Sequence, residues 1–175
     1  MGMTIRSAVP EDAFAACDVL RRSISECCVQ DHQNDPRLLA QWLGNKTPET
    51  VASWFDVPSN YTVVAERDGK VVGVSLLTQA GKLSLCYVLP EALHSGVGSA
   101  MLAAIEAQAR AWGVAVLKMK STSTARDFYV RHGYISAGRE MSCYGLECDF
   151  LWKKLDAAPV ADSAAARRFC SCSAA

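Results

Sequence analysis

Leu85-Cys86-Tyr87-Val88-Leu89-Pro90-Glu91-Ala92-Leu93-His94-Ser95-Gly96-Val97-Gly98-Ser99-Ala100-Met101-Leu102 is the stretch whose reading decides the fold. A β-rich run stops at Pro90, and a turn carrying Gly96 and Gly98 follows. Met101, Ile105 and Trp112 then fall on one stripe of a helix expected from about residue 98 to residue 112, which Gly113 ends. A strand-loop-helix turn of this kind presents unpaired backbone N–H groups at the positive end of a helix dipole, which suits a pyrophosphate. Gly96 and Gly98 carry no Cβ, so the backbone can approach a ligand closely. The stretch has neither a Walker lysine nor a full G-x-G-x-x-G, which disfavours a P-loop or a dinucleotide site.

Outward from this turn, residues 115–119 form the next strand. A strand, a crossover helix and a strand in succession predict that residues 83–88 and 115–119 lie parallel, with a right-handed crossover. Upstream, residues 61–66 and 71–77 are β-rich runs joined by Arg67-Asp68-Gly69-Lys70, whose Asp-Gly pair is a hairpin signal. A turn at residues 79–82 then makes three consecutive antiparallel strands. Towards the N-terminus, residues 4–7 open as a strand. Phe14, Cys17, Leu20 and Ile24 recur at helical spacing in an expected helix over residues 10–28. Asp35-Pro36 and Thr47-Pro48 each pair an N-cap with a first-turn proline and start two short helices. Downstream, residues 124–132 read as a short helix, and residues 134–140 and 148–154 as a closing hairpin. The expected fold is α/β: a mixed, mostly antiparallel sheet of about seven strands with helices on both faces. Residues 1–155 are expected to form one domain, and the alanine-rich residues 156–175 a flexible appendage.

Composition narrows the function classes. The chain has 175 residues, about one domain's length. Half of them are hydrophobic and 21% charged, so a core can be buried. Lys plus Arg and Asp plus Glu each total 18, without a basic stripe or an acidic tail, which disfavours nucleic acid or a charged membrane surface as partner. Eight cysteines could indicate disulfides, but the charged N-terminal residues do not resemble a secretion signal, so reduced thiols and a cytoplasmic location are expected. Cys27-Cys28 and Cys170-x-Cys172 lack zinc spacing, and no metal site is expected.

A second motif, Thr124-Ala-Arg-Asp-Phe-Tyr-Val-Arg-His-Gly-Tyr134, follows the strand after the glycine-loop helix. With both segments in this order, the chain resembles the GNAT superfamily of N-acetyltransferases, whose acetyl-CoA site combines a strand, an R/Q-x-x-G-x-G/A loop and a later A-x-x-F-Y-x-x-x-G-F/Y helix. The resemblance spans residues 4–155. It implies a splayed sheet in which pantetheine lies between the two parallel strands, hydrogen-bonded by the main chain at Tyr87 and Val88. The pyrophosphate would rest on the amides of Ser95, Gly96, Val97, Gly98 and Ser99, with Leu93 and His94 leading into that cradle. Leu93 stands where the family prefers Arg or Gln, which removes a side-chain contact to phosphate. Thr122 stands where the family often has Asn or Ser, and its hydroxyl substitutes in part. Tyr129 matches the tyrosine that protonates the departing CoA thiolate, a role that suits a phenol of pKa about 10 facing a thiol of about 8.5.

The resemblance implies direct transfer of acetyl from acetyl-CoA to a primary amine of a small molecule or peptide in a ternary complex. The rival reading is a non-catalytic acyl-CoA-binding or regulatory domain that retains the fold. Whether the chain pairs into a homodimer is left open. Amine attack also calls for a base, and the two gripping strands offer Ser84, Cys86 and Lys118 but no acid. Cys86 and His94 have no evident third residue to orient them as nucleophile and base. The polar loop around Asp31 and His32 is therefore expected on the acceptor side, with His32 as candidate base and Glu26 as a substitute.

Overall fold

The computed structural model describes residues 2–156. The expected appendage therefore lies outside the described residues, apart from Asp156. Strands β1 (Met3–Ser7), β2 (Asn60–Arg67), β3 (Lys70–Thr78) and β4 (Leu83–Val88) form an antiparallel sheet in the order β1-β2-β3-β4. The β2–β3 turn is of the primed kind that twists with its strands: Asp68 and Gly69 take φ of 52° and 75°. Strands β5 (Val116–Ser121), β6 (Ile135–Met141) and β7 (Glu147–Lys154) form a second antiparallel sheet in the order β5-β7-β6.

The seven expected strands are present, divided over two sheets. The expected parallel pairing of residues 83–88 with 115–119 is confined to one bridge, Lys82 with Lys118, where the Lys118 N–H donates to Gly81 O at 2.9 Å. Beyond that bridge β4 and β5 diverge. The edge of β4 that faces β5 is left without a ladder partner, and an extended ligand can hydrogen-bond there as an added strand would.

Helices cover both faces of the first sheet. Helix α1 (Ala13–Arg22) and helix α5 (Val97–Ala111) both pack on β3. For this reason β3 is buried without interruption from Val72 to Leu77 rather than in alternation. Gly73 in β3 admits α5 closely, since a Cβ there would lie 2.9 Å from Met101 Cε. The long first helix expected over residues 10–28 runs without interruption from Pro10 to Cys27 but changes its winding: a 3-10 turn (Pro10–Asp12) leads into α1, and a π-helical turn (Ser23–Cys27) continues it. Helix α2 (Val29–His32) is a single turn. Helices α3 (Pro36–Leu43) and α4 (Pro48–Phe55) start where their caps are read, with Asp35 accepting from the Arg37 N–H at 2.8 Å and Thr47 Oγ1 from the Thr50 N–H at 3.2 Å. Helix α6 (Ser123–Arg131) joins β5 to the β6–β7 hairpin.

Candidate active site

Helix α5 begins at the glycine turn. Gly96 has φ of 86°, a left-handed conformation that favours glycine, and a Cβ there would meet nothing within 4 Å. The Ala100 N–H bonds to Gly96 O at 3.0 Å, so the amides of Val97, Gly98 and Ser99 lie ahead of the helical ladder and are free to receive an anion. The Val97 side chain is fully buried in the core, which leaves only its amide to act at the turn. Gly98 is needed for a further reason: a Cβ there would lie 3.2 Å from Phe128 Cζ, so α6 approaches α5 over this residue.

Leu93 is 41% exposed beside the turn and brings no charge. A cation comes instead from the end of β2, where Arg67 Nη2 donates to Ser95 Oγ at 3.0 Å while Ser95 Oγ donates to Ala92 O at 2.6 Å. On the other side of the turn, His132 Nδ1 donates to Phe128 O at 2.8 Å, and its Nε2 accepts from Ser99 Oγ at 3.0 Å. Sequence position marks neither Arg67, at a hairpin turn, nor His132, at a helix end, as part of the site. The first is 28 residues from its partner and the second 33, so local spacing gives no signal for either contact.

From this turn a cleft of about 760 Å³ runs inward between α5, α6 and β4. Leu93, His94, Gly96, Gly98 and Ser99 line its mouth, and Tyr87, Val88, Thr122 and Tyr129 its depth. The structure thus brings together nine of the residues singled out in the sequence, with Ser95 and Val97 just outside the walls. Tyr129 is buried, edge-on to Phe128 and Tyr134 at 5.0 and 5.6 Å between ring centres. Burial raises its pKa well above 10, and the neighbouring Cys86 thiol adds to the rise. The hydroxyl therefore stays protonated throughout the neutral range. Burial likewise raises the pKa of Cys86, which keeps it a thiol and removes it as a nucleophile.

A second pocket of about 480 Å³ opens on the far side of the splay. Tyr87 and Thr122 line both spaces, so the two adjoin where β4 and β5 part. The second pocket is walled by Trp42, Trp54, Leu85 and Tyr144 and carries Lys46, Lys82 and Lys120.

The expectation that His32 and Asp31 face the acceptor is corrected by the structure. His32 is fully buried, its Nε2 donating to Ile24 O at 3.0 Å and its Nδ1 accepting from the Asn34 N–H at 3.0 Å, with Trp42 edge-on. Both ring nitrogens are spent on backbone, and His32 lines neither pocket. Asp31 instead caps α6, accepting from the Ser123 N–H at 2.6 Å and from the Thr124 hydroxyl. The segment read as a polar loop is a helical turn folded under α6. Glu26 does line the cleft, where Arg22 Nε pairs with it at 3.0 Å and ties it to the end of α1.

Two antiparallel sheets splayed at a single parallel bridge, with an anion-ready helix start at the mouth of the splay, define an acyltransferase fold. The chain belongs to the GNAT acetyltransferases: the family model described as "Acetyltransferase (GNAT) domain" matches residues 30–148. Among solved structures it is similar to a GCN5-related N-acetyltransferase from Rhodopseudomonas palustris, with a TM-score of 0.78 and 22% identity over 89% of this chain and 99% of that one. It is also similar to the PaiA N-acetyltransferase of Thermoplasma acidophilum, solved in complex with coenzyme A, with a TM-score of 0.73 and 18% identity over 88% and 99%. A curated relative, the amino-acid acetyltransferase of Azotobacter vinelandii, is 37% identical over 82 residues, which are 44% of this chain. The match spans 19% of that relative's length. Among the described residues no helix is long and apolar enough to cross a membrane.

Proposed function

We propose that the chain transfers acetyl from acetyl-CoA to a primary amine in a ternary complex. The observation that carries this reading is the adjacency of the two spaces: the cleft that starts at the free amides of α5 reaches Tyr129 and shares Tyr87 and Thr122 as walls with the second pocket. Donor and acceptor can enter from opposite sides and meet without a covalent enzyme intermediate.

In this reading the amides of Val97, Gly98 and Ser99 hold the pyrophosphate, with Arg67 beside them supplying the charge that Leu93 lacks. The unpaired edge of Tyr87 and Val88 holds the pantetheine arm as an added strand and fixes the thioester near Tyr129. The neutral amine attacks the carbonyl carbon. A C–N bond forms, the C–S bond breaks, and the electron pair leaves on sulfur. Tyr129 hydrogen-bonds the developing thiolate and passes it a proton, and the proton shed by the attacking nitrogen restores the phenol. A raised pKa makes Tyr129 a weaker acid but guarantees the protonated form before each turnover.

The test is release of free thiol from acetyl-CoA with a panel of primary amines, with the acetylated products identified by mass. Tyr129→Phe is expected to lower kcat by about 10²–10⁴-fold with acetyl-CoA affinity little changed. Tight acetyl-CoA binding with no turnover of any amine would establish instead the non-catalytic acyl-CoA-binding domain, the reading favoured by Leu93 and by a second pocket without a carboxylate.

A further inference from the structure

The second pocket has an unusual charge make-up. Three lysines and no Asp or Glu line it, and four aromatic rings, Trp42, Trp54, Tyr87 and Tyr144, stand in its walls. Lys82 is exposed and Lys120 is paired at the rim with Glu140 at 2.9 Å, but Lys46 is only 3% exposed. The Lys46 ammonium donates to Trp42 O at 3.2 Å, to the Asn45 side-chain oxygen and to Tyr144 Oη at 3.3 Å, and lies 4.9 Å from the Tyr144 ring centre. No carboxylate among the described residues balances it. Burial holds its pKa down at about 8.

A buried cation without a counter-charge is expensive to maintain unless something outside the chain completes it. Tyr144 points to what that is. Its hydroxyl oxygen already accepts from Lys46 Nζ and from Asn45 Nδ2 at 3.2 Å, so both lone pairs are used and its own O–H is left to donate, with only the weakly accepting Cys143 thiol beside it. It lines the pocket. Burial raises the pKa of Tyr144, which keeps that proton in place. The pocket therefore offers a phenolic O–H polarised by a lysine directly behind it, a donor arrangement suited to an anion.

We infer that the acceptor amine carries a carboxylate, docked on the Tyr144 hydroxyl with the Lys46 charge directly behind it, and an apolar body against Trp42 and Trp54, as in an aromatic or branched α-amino acid. This rests on the transferase reading above and names its substrate class. The same charges disfavour polyamines, aminoglycosides and basic peptides, whose extra ammonium groups would meet three lysines and no acid.

The experiment compares matched amines on the full chain: an α-amino acid against the corresponding amine without its carboxylate, for example phenylalanine with phenethylamine and leucine with isoamylamine. Thiol release gives kcat/KM, and ligand-observed NMR on the CoA-loaded protein gives binding without chemistry. The carboxylate members are expected to be preferred by about tenfold or more, the worth of one charge-assisted hydrogen bond. Lys46→Met should bring the preference to within about twofold, and Tyr144→Phe, which keeps the ring, should lower it at unchanged fold. Equal or better turnover of the decarboxylated amines, or a preference that survives in Lys46→Met, overturns the inference. Carboxylate binding that needs Lys46 but brings no turnover upholds the pocket and overturns the transferase reading. Turnover of amines with no carboxylate binding does the reverse.

Discussion

Asp31 and Ser123 lie 92 positions apart in sequence, yet the Asp31 carboxylate takes the Ser123 N–H at 2.6 Å and so caps the helix that carries Tyr129. Helix α6 thus has a local cap, Thr122 Oγ1 accepting from the Ala125 N–H at 3.2 Å, and a second one supplied from α2. Asp31→Ala removes the long-range cap and the negative charge at the helix start. The expected loss is about 1–2 kcal/mol of folding stability by urea denaturation, with KM for the acceptor little changed. A large rise in acceptor KM at full stability would move Asp31 into the acceptor site.

His32 belongs to the same structural layer. Replacing it by alanine leaves a cavity beside Trp42 and strips partners from Ile24 O and the Asn34 N–H. A loss of roughly 2–4 kcal/mol follows from the cavity and the two orphaned groups together. His32→Ala with wild-type stability but without a basic limb in its pH–rate profile would return the residue to catalysis.

The contrast between these two residues and the glycine turn marks what local sequence can carry. Gly96, Gly98, Pro90 and the Thr124–Tyr134 motif act within a few residues of themselves, and the cleft walls lie where their pattern places them. The caps at Asp35 and Thr47 were legible for the same reason. A cluster of polar residues such as Asp31-His32-Gln33-Asn34 carries no equivalent information. Exposed and internally satisfied turns share one composition, and only tertiary contacts with Ile24 and Ser123 distinguish them. Lys46 was overlooked because lysine is almost never fully buried, so nothing in its neighbourhood marks it as part of a pocket. Division of the seven strands into two sheets is likewise a property of divergence after the Lys82–Lys118 bridge, not of any strand's own residues.

At the turn itself, Gly96→Ala forces a Cβ into a left-handed residue, with an expected loss on the order of 1 kcal/mol in stability and a weakened grip on acetyl-CoA. Gly98→Ala has a different origin, pushing Phe128 by a few tenths of an ångström at a contact of 3.2 Å. Calorimetry with acetyl-CoA should show both variants weaker than the parent. Removal of Arg67 as Arg67→Ala should weaken binding further in low salt than in high salt, since its contribution is a charge beside the phosphates. A salt-independent effect would assign Arg67 only to holding Ser95.

Tyr129 also makes a prediction about pH. Because burial and Cys86 raise its pKa well above 10, the protonated form persists, and kcat measured under chemistry-limited conditions should show no alkaline decline from this residue up to about pH 10. A fall with an apparent pKa near 9 that disappears in Tyr129→Phe would show that the site is wetter than its packing implies.

Lys46 makes a prediction about stability whose sign follows from linkage. Its pKa is about 8 in the folded chain against 10.5 for the free side chain. Below pH 8 both states hold the proton, and the full penalty of burying the charge is present. Between pH 8 and 10.5 the folded chain has released the proton and the unfolded chain has not, so stability from this group rises with pH across that window. Lys46→Met removes the titration while keeping much of the volume. The stability of the variant relative to the parent should therefore be more favourable at pH 7 than at pH 10, by roughly 2–3 kcal/mol. Urea denaturation of both proteins at the two pH values gives that difference, and titrations of cysteines and tyrosines remote from Lys46 cancel in the comparison. A difference that does not change with pH would mean that water reaches the ammonium, and that Lys46 keeps its charge at no expense to the fold.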